Sequence, residues 1–167
     1  MVTISMPNID TIIDHSIRDF LADIRNKGWF GREREAISLF VFSQLIKHII
    51  PTRIMIEGAV PQLKTLGKEL VCKDIVIWEK PYMTCWNKGQ KLTNYPLAIM
   101  EWKVDISGKN KPPDKFVRDD IKWLAKYSSE KDNITGYSFY LDINSTGKPA
   151  HLTIIKDGII SNTKDFR

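Results

Sequence analysis

Apolar residues recur at steps of three and four along the first segment: Ile9, Ile12, Ile13, Ile17, Phe20, Leu21 and Ile24, with Asp10, Asp14, Arg18 and Arg25 between them. That is the period of an amphipathic helix. Asn8 supplies an N-cap with Pro7 ahead of it, and Gly28 breaks the pattern. A second helix is expected from Arg32 to Ile50. Its first turn is charged, and the remainder (Ala36, Ile37, Leu39, Phe40, Val41, Phe42, Leu45, Ile46) is apolar on most sides. Such a helix is expected to be buried in the middle of a domain, and Pro51 stops it.

The pattern then turns to strands. Arg53 to Val60 is β-rich and ends at Pro61, Glu69 to Trp78 reads as a second strand, and Leu97 to Val104 as a third. A loop rich in Gly, Lys, Asn and Pro follows from Ser107 to Pro113. Asp114 to Tyr127 is helical again, with Phe116, Val117, Ile121, Leu124 and Ala125 on one face and Arg118, Asp119, Lys122 and Lys126 on the other. Two late strands, Thr135 to Ile143 and His151 to Ile155, complete the order α, α, β, β, β, α, β, β. With no repeat and no interdomain linker, residues 1–167 read as a single α/β (α+β) domain, with residues 1–27 as an accessory helix.

Composition narrows the class. Of 167 residues, 43% are hydrophobic and 27% charged, which suits a globular chain and neither a disordered nor a membrane-embedded one. No apolar run reaches the ~18 residues of a membrane span, no secretory leader opens the chain, and Cys72 and Cys85 form no disulfide framework. A soluble, cytoplasmic protein without a membrane partner is the expectation. The net charge of +5 is compatible with an anionic partner such as nucleic acid.

Three charged residues stand out against apolar surroundings. Asp74 precedes Ile75, Val76, Ile77 and Trp78, while Glu101 and Lys103 follow Leu97, Ala98, Ile99 and Met100. Strand side chains alternate, so Glu101 and Lys103 point the same way and Trp102 the other. Strands this apolar are usually covered on both faces, which argues against a solvated edge. A hairpin between the two strands would set Asp74 beside Glu101. Two carboxylates about 4 Å apart repel by roughly 4 kcal/mol at an effective dielectric near 20. A hard divalent cation removes that cost: Mg²⁺ needs only a few oxygen ligands besides its waters. Lys103 is then placed to hold an attacking water or to neutralise charge on phosphorus.

A helix carrying Glu, a strand, Asp74 on a strand, Glu101-Trp102-Lys103 on the next and then a helix resembles the PD-(D/E)XK nuclease superfamily over residues 31–143. The resemblance implies a restriction-endonuclease-like core, a central mixed β-sheet flanked by helices (αβββαβ). It implies a DNA endonuclease in which Asp74 and Glu101 bind Mg²⁺ or Mn²⁺ and Lys103 supports the water. It also implies a helical Glu at the site, filled by Glu35 in preference to Glu33. Lys73 stands where the family often has Pro. Duplex cutters of the family often dimerise, so a homodimer is compatible with the resemblance.

Other residues admit two readings. Glu33 and Glu35 also suit the positive end of a helix. Asp119 and Asp120 either orient the site or form a wet helix face. Lys109, Lys111 and Lys115 are candidate DNA contacts, since they follow the catalytic strand closely and phosphate contacts position a duplex without reading it. The segment from Lys80 to Asn94, with Tyr82, Trp86, Lys88 and Lys91, would either touch DNA or cap the sheet. Trp78, Trp102 and Trp123 read as core or sheet cover. The cysteines and His15, His48 and His151 give no zinc spacing, and no phosphate-binding loop, dinucleotide fingerprint or nucleophile elbow is present.

Overall fold

A computed structural model describes residues 8–27, 31–63, 68–106, 115–144 and 150–167. The chain divides into two compact units, Met1–Ile50 and Pro51–Arg167.

The first unit is helical. α1 spans Ile9–Lys27 and α2 spans Glu33–Ser43. The Asn8 side chain accepts the N–H of Asp10 at 3.1 Å and so caps α1, as its position before the apolar period implies. Ile12, Ile13, Ile17, Phe20 and Leu21 are buried, and Asp14 pairs with Arg18 one turn on at 3.0 Å. Phe20 meets Phe40 of α2 edge to face, with ring centroids 5.8 Å apart.

Two expectations for α2 are corrected. The helix ends at Ser43, seven residues before Ile50, and a 3₁₀ turn over Leu45–Lys47 follows. Gln44 leaves helical geometry, and its amide donates to Asp23 at 2.6 Å while its carbonyl accepts from Lys47 at 2.7 Å. Nor is α2 buried all round. Ala36, Ile37, Phe40 and Val41 are covered, whereas Phe42 is 66% exposed.

The second unit holds an open mixed sheet of six strands in the order β1-β2-β3-β4-β5-β6. These are β1 Ile54–Pro61, β2 Leu70–Ile77, β3 Ala98–Asp105, β4 Thr135–Asp142, β5 Ala150–Lys156 and β6 Ile159–Phe166. All neighbours are antiparallel except β3 and β4, which run parallel. Parallel neighbours need a crossover, and α3, Lys115–Glu130, supplies it. The chain is therefore mixed α/β, with three α-helices among the described residues.

α3 lays Leu124 and Tyr127 onto the sheet against Val60, Val76, Ile99 and Ile155, all buried. Gly136 on β4 allows the close approach: a Cβ there would lie 3.0 Å from Leu124 Cβ. The Lys80 to Asn94 segment contributes Met83, Cys85 and Leu92 to this core while Tyr82 stays 83% exposed, so its capping role is realised. Cys72 and Cys85 are free thiols. Among the described residues no helix is long and apolar enough to cross a membrane.

Candidate active site

The sheet opens between its second and third strands. β2 pairs with β1 along nearly its whole length, and β3 with β4 from Ala98 to Asp105. Yet β2 and β3 share only three rungs: Ile75 with Met100, Val76 with Ile99, and Ile77 with Ala98. Asp74 and Glu101 are the first residues past the last rung. Their carboxylates occupy the place of the missing ladder. Asp74 Oδ2 accepts the N–H of Trp102 at 2.7 Å, and Glu101 Oε2 lies 3.5 Å from the N–H of Asp74. Bridging of this kind satisfies backbone groups that the separating strands would otherwise strand.

The other side of β2 is irregular at the same level. The β1–β2 register passes from Ile56–Ile75 to Gly58–Lys73 without pairing Glu57 to Asp74, and Glu57 takes a left-handed backbone (φ 51°). Irregular rungs of this type re-aim side chains beside functional sites.

Two ammonium groups flank the acids. Lys73 pairs with Glu101 Oε1, both side chains being 8% exposed. Its nitrogen also sits 3.6 Å from the centroid of the Trp123 ring, a cation–π contact from α3. Lys103 donates to the carbonyl of Trp102 at 2.7 Å and lies 3.6 Å from Asp120 Oδ2. Asp120 and Trp123 stand one turn apart on α3, so one helix face meets both ammonium groups. Trp123 is itself fixed by stacking on Tyr127 at 4.6 Å and by donating to Gln62 at 3.2 Å.

Burial dominates the electrostatics. It pushes the Glu101 carboxyl up from its ordinary value to about 7; Lys73 pulls it down, and Asp74 and Asp120 push it further up. Asp120 is raised as well, by burial first, against the pull of Lys103 and Lys73. The site thus holds three carboxyl groups and two ammonium groups in a partly dry opening of the sheet.

Asp74 and Glu101 stand side by side where the β2–β3 ladder ends, and Lys103, two residues on, turns to the Trp102 carbonyl and to Asp120. Glu35 lies in the first unit, where its carboxylate accepts the N–H of Arg32 at 2.8 Å, a capping contact at the start of α2. Glu33 is the first residue of that helix. Lys109 and Lys111 lie outside the described residues, as does the side chain of Lys115, which opens α3. Asp119 is exposed, whereas Asp120 turns to the site. Lys73 and Trp123 are site residues that sequence reasoning gave other places. Lys73 carried one clue: a Lys within an apolar strand must find a partner if it is buried.

Among the described residues no group of three or more His, Cys, Asp or Glu side chains is placed to hold a metal ion. The carboxylates of Asp74 and Glu101, joined through backbone N–H groups, are hard oxygens of the kind Mg²⁺ and Mn²⁺ accept alongside water, while the Trp102 carbonyl accepts the Lys103 ammonium. Comparison with protein-family models, with curated proteins and with solved structures finds no match.

Proposed function

We propose that the chain is a metal-dependent DNA endonuclease with a restriction-endonuclease-like core, hydrolysing phosphodiester bonds where the sheet opens. One observation carries this reading. Two carboxylates sit across the gap between β2 and β3, joined by backbone hydrogen bonds, and an ammonium group follows two residues after the second of them.

Asp74 and Glu101 would hold Mg²⁺ or Mn²⁺, with waters filling the rest of the shell. Bound there, such an ion would supply Lewis-acid polarisation of a phosphate oxygen and a more acidic water. Lys103 orients the attacking water and offsets the charge that grows on the phosphate oxygens in the transition state. Asp120 and the Trp102 carbonyl hold its ammonium from two sides. The water oxygen bonds to phosphorus as one of its protons passes to solvent, the bond to the 3′ oxygen breaks and that oxygen takes up a proton from solvent, and the products are a 5′-phosphate and a 3′-hydroxyl.

The test is cleavage of single-stranded, duplex and branched DNA with Mg²⁺ and with Mn²⁺. Cleavage that is lost in Asp74→Ala and in Lys103→Ala supports the proposal; cleavage that survives either change refutes it. A second reading is favoured by the Lys73 ion pair, which occupies Glu101 with a resident cation. On that reading the fold is a scaffold that binds nucleic acid or protein and does no chemistry. Mn²⁺ titration separates the two, because a scaffold shows no Glu101-dependent binding.

A further inference from the structure

Lys73 is the group at the site that the hydrolytic scheme does not use. Its ammonium is buried, and its two partners are Glu101 and the face of Trp123. One is a carboxylate assigned above to a divalent ion; the other is a ring anchored to Tyr127 and Gln62. A dication on Glu101 and an ammonium on the same carboxylate repel, with no bulk water between them to screen the repulsion. An ion that takes Oε1 displaces the ammonium from Glu101, and α3 offers it a second acceptor. Asp120 lies one turn before Trp123, and its buried Oδ2 makes no short hydrogen bond and faces the Lys103 ammonium at 3.6 Å, so Lys73 would join it there as a second cation. The charge of Lys73 already acts on Asp120.

We propose that Lys73 is a displaceable counter-ion: it holds Glu101 while the site is empty of metal and moves along the Trp123 face to Asp120 when a divalent cation enters. This inference rests on the metal-dependent reading of the site. It assigns Lys73 to regulating metal entry, apart from the chemistry given to Lys103. A resident cation keeps a cluster of acids folded at low metal concentration, and it sets a threshold that an entering ion must exceed. The flexible four-carbon stem of lysine suits the move, because it carries a compact charge between acceptors.

Mn²⁺ binding to the full chain, followed by electron paramagnetic resonance and by calorimetry, tests the exchange without any DNA. Wild type should bind one Mn²⁺, and Glu101→Gln should abolish that binding. Lys73→Met removes the competitor and should tighten binding by about tenfold, the equivalent of about 1.4 kcal/mol. Lys73→Gln, which keeps a donor to Glu101 without the charge, should tighten it in the same direction and guards against a folding defect in the Met variant. Asp120→Asn removes the second acceptor and should weaken binding several-fold in the wild-type background but not beside Lys73→Met, a non-additivity that reports contact between the two residues. Glu101-dependent binding that both Lys73 variants leave unchanged or weaker would overturn the counter-ion role and leave the metal site standing. Wild type that binds no Mn²⁺ through Glu101 would overturn both.

Discussion

Replacing Asp74 in two ways separates its structural work from its chemical work. Its Oδ2 accepts the N–H of Trp102 at 2.7 Å, and Trp102 is fully buried in the middle of β3. Asp74→Ala withdraws that acceptor from a backbone group that water does not reach. A buried donor deprived of its acceptor costs about 1–3 kcal/mol. Asp74→Asn keeps an oxygen in the same place and removes a negative charge that raises Glu101. Losing the charge weakens the hydrogen bond and relieves the repulsion, so the two effects oppose each other and the net change should stay within about 1 kcal/mol. Urea denaturation in chelator should therefore rank wild type and Asp74→Asn together, with Asp74→Ala below both. Mg²⁺-dependent DNA cleavage should rank them otherwise. Both variants lose a ligand carboxylate and should fall by more than about 100-fold, the upper end of what disturbing groups beyond the ligands themselves costs. An Asp74→Ala protein as stable as Asp74→Asn would refute the bridging role. An Asp74→Asn protein that cuts DNA at the wild-type rate would refute the ligand role.

Other expectations follow from the same coordinates. Glu101 is raised from 4.5 to about 7 in the folded chain, so the folded state holds that proton more tightly than the unfolded state; its stabilisation is full below 4.5 and is lost as pH rises through about 7. Unfolding titrations in chelator at pH 5 and pH 8 should show this loss in wild type, and Glu101→Gln, which cannot titrate, should flatten it. Gly58→Ala places a methyl group 2.8 Å from Cγ2 of the fully buried Val76, an overpacking that should cost about 1–3 kcal/mol in chemical denaturation. Trp123→Ala removes the Tyr127 stack, the Gln62 hydrogen bond and the surface under Lys73, and, because Trp123 is half-buried, should cost up to about 3 kcal/mol by the same measurement, the lower end of the range for core aromatics.

The parts of the fold legible in the sequence are those where one strong pattern acts alone. The stripe of α1 reads directly because Ile13, Ile17 and Phe20 are buried at helical spacing. The apolar runs of β2 and β3 read as covered strands, and their alternation alone puts Glu101 and Lys103 on one side. β6 escapes because Ser161, Asn162 and Thr163 are exposed, so its residues carry no apolar period; it is held by its ladder to β5. The end of α2 is equally hidden, since a side-chain bond from Gln44 to Asp23, 21 residues earlier, accompanies the break. At the site, the E-x-K spacing and the isolated Asp74 were readable as local features. Asp120 was readable only as one of two alternatives, and Lys73 and Trp123 were not, because their roles depend on where α3 crosses the sheet, and a crossover helix reads the same in sequence whichever strand gap it covers. The opening between β2 and β3 is likewise a tertiary fact, set by how far each strand pairs with its outer neighbour.

Anomalous diffraction from crystals grown with manganese is the most direct measurement. One peak in the β2–β3 opening, bonded to the carboxylates of Asp74 and Glu101 with the Lys73 ammonium withdrawn toward Asp120, is the expected result. Crystals saturated with manganese that show no density there, with Lys73 still seated on Glu101, would contradict a metal-dependent site at this place.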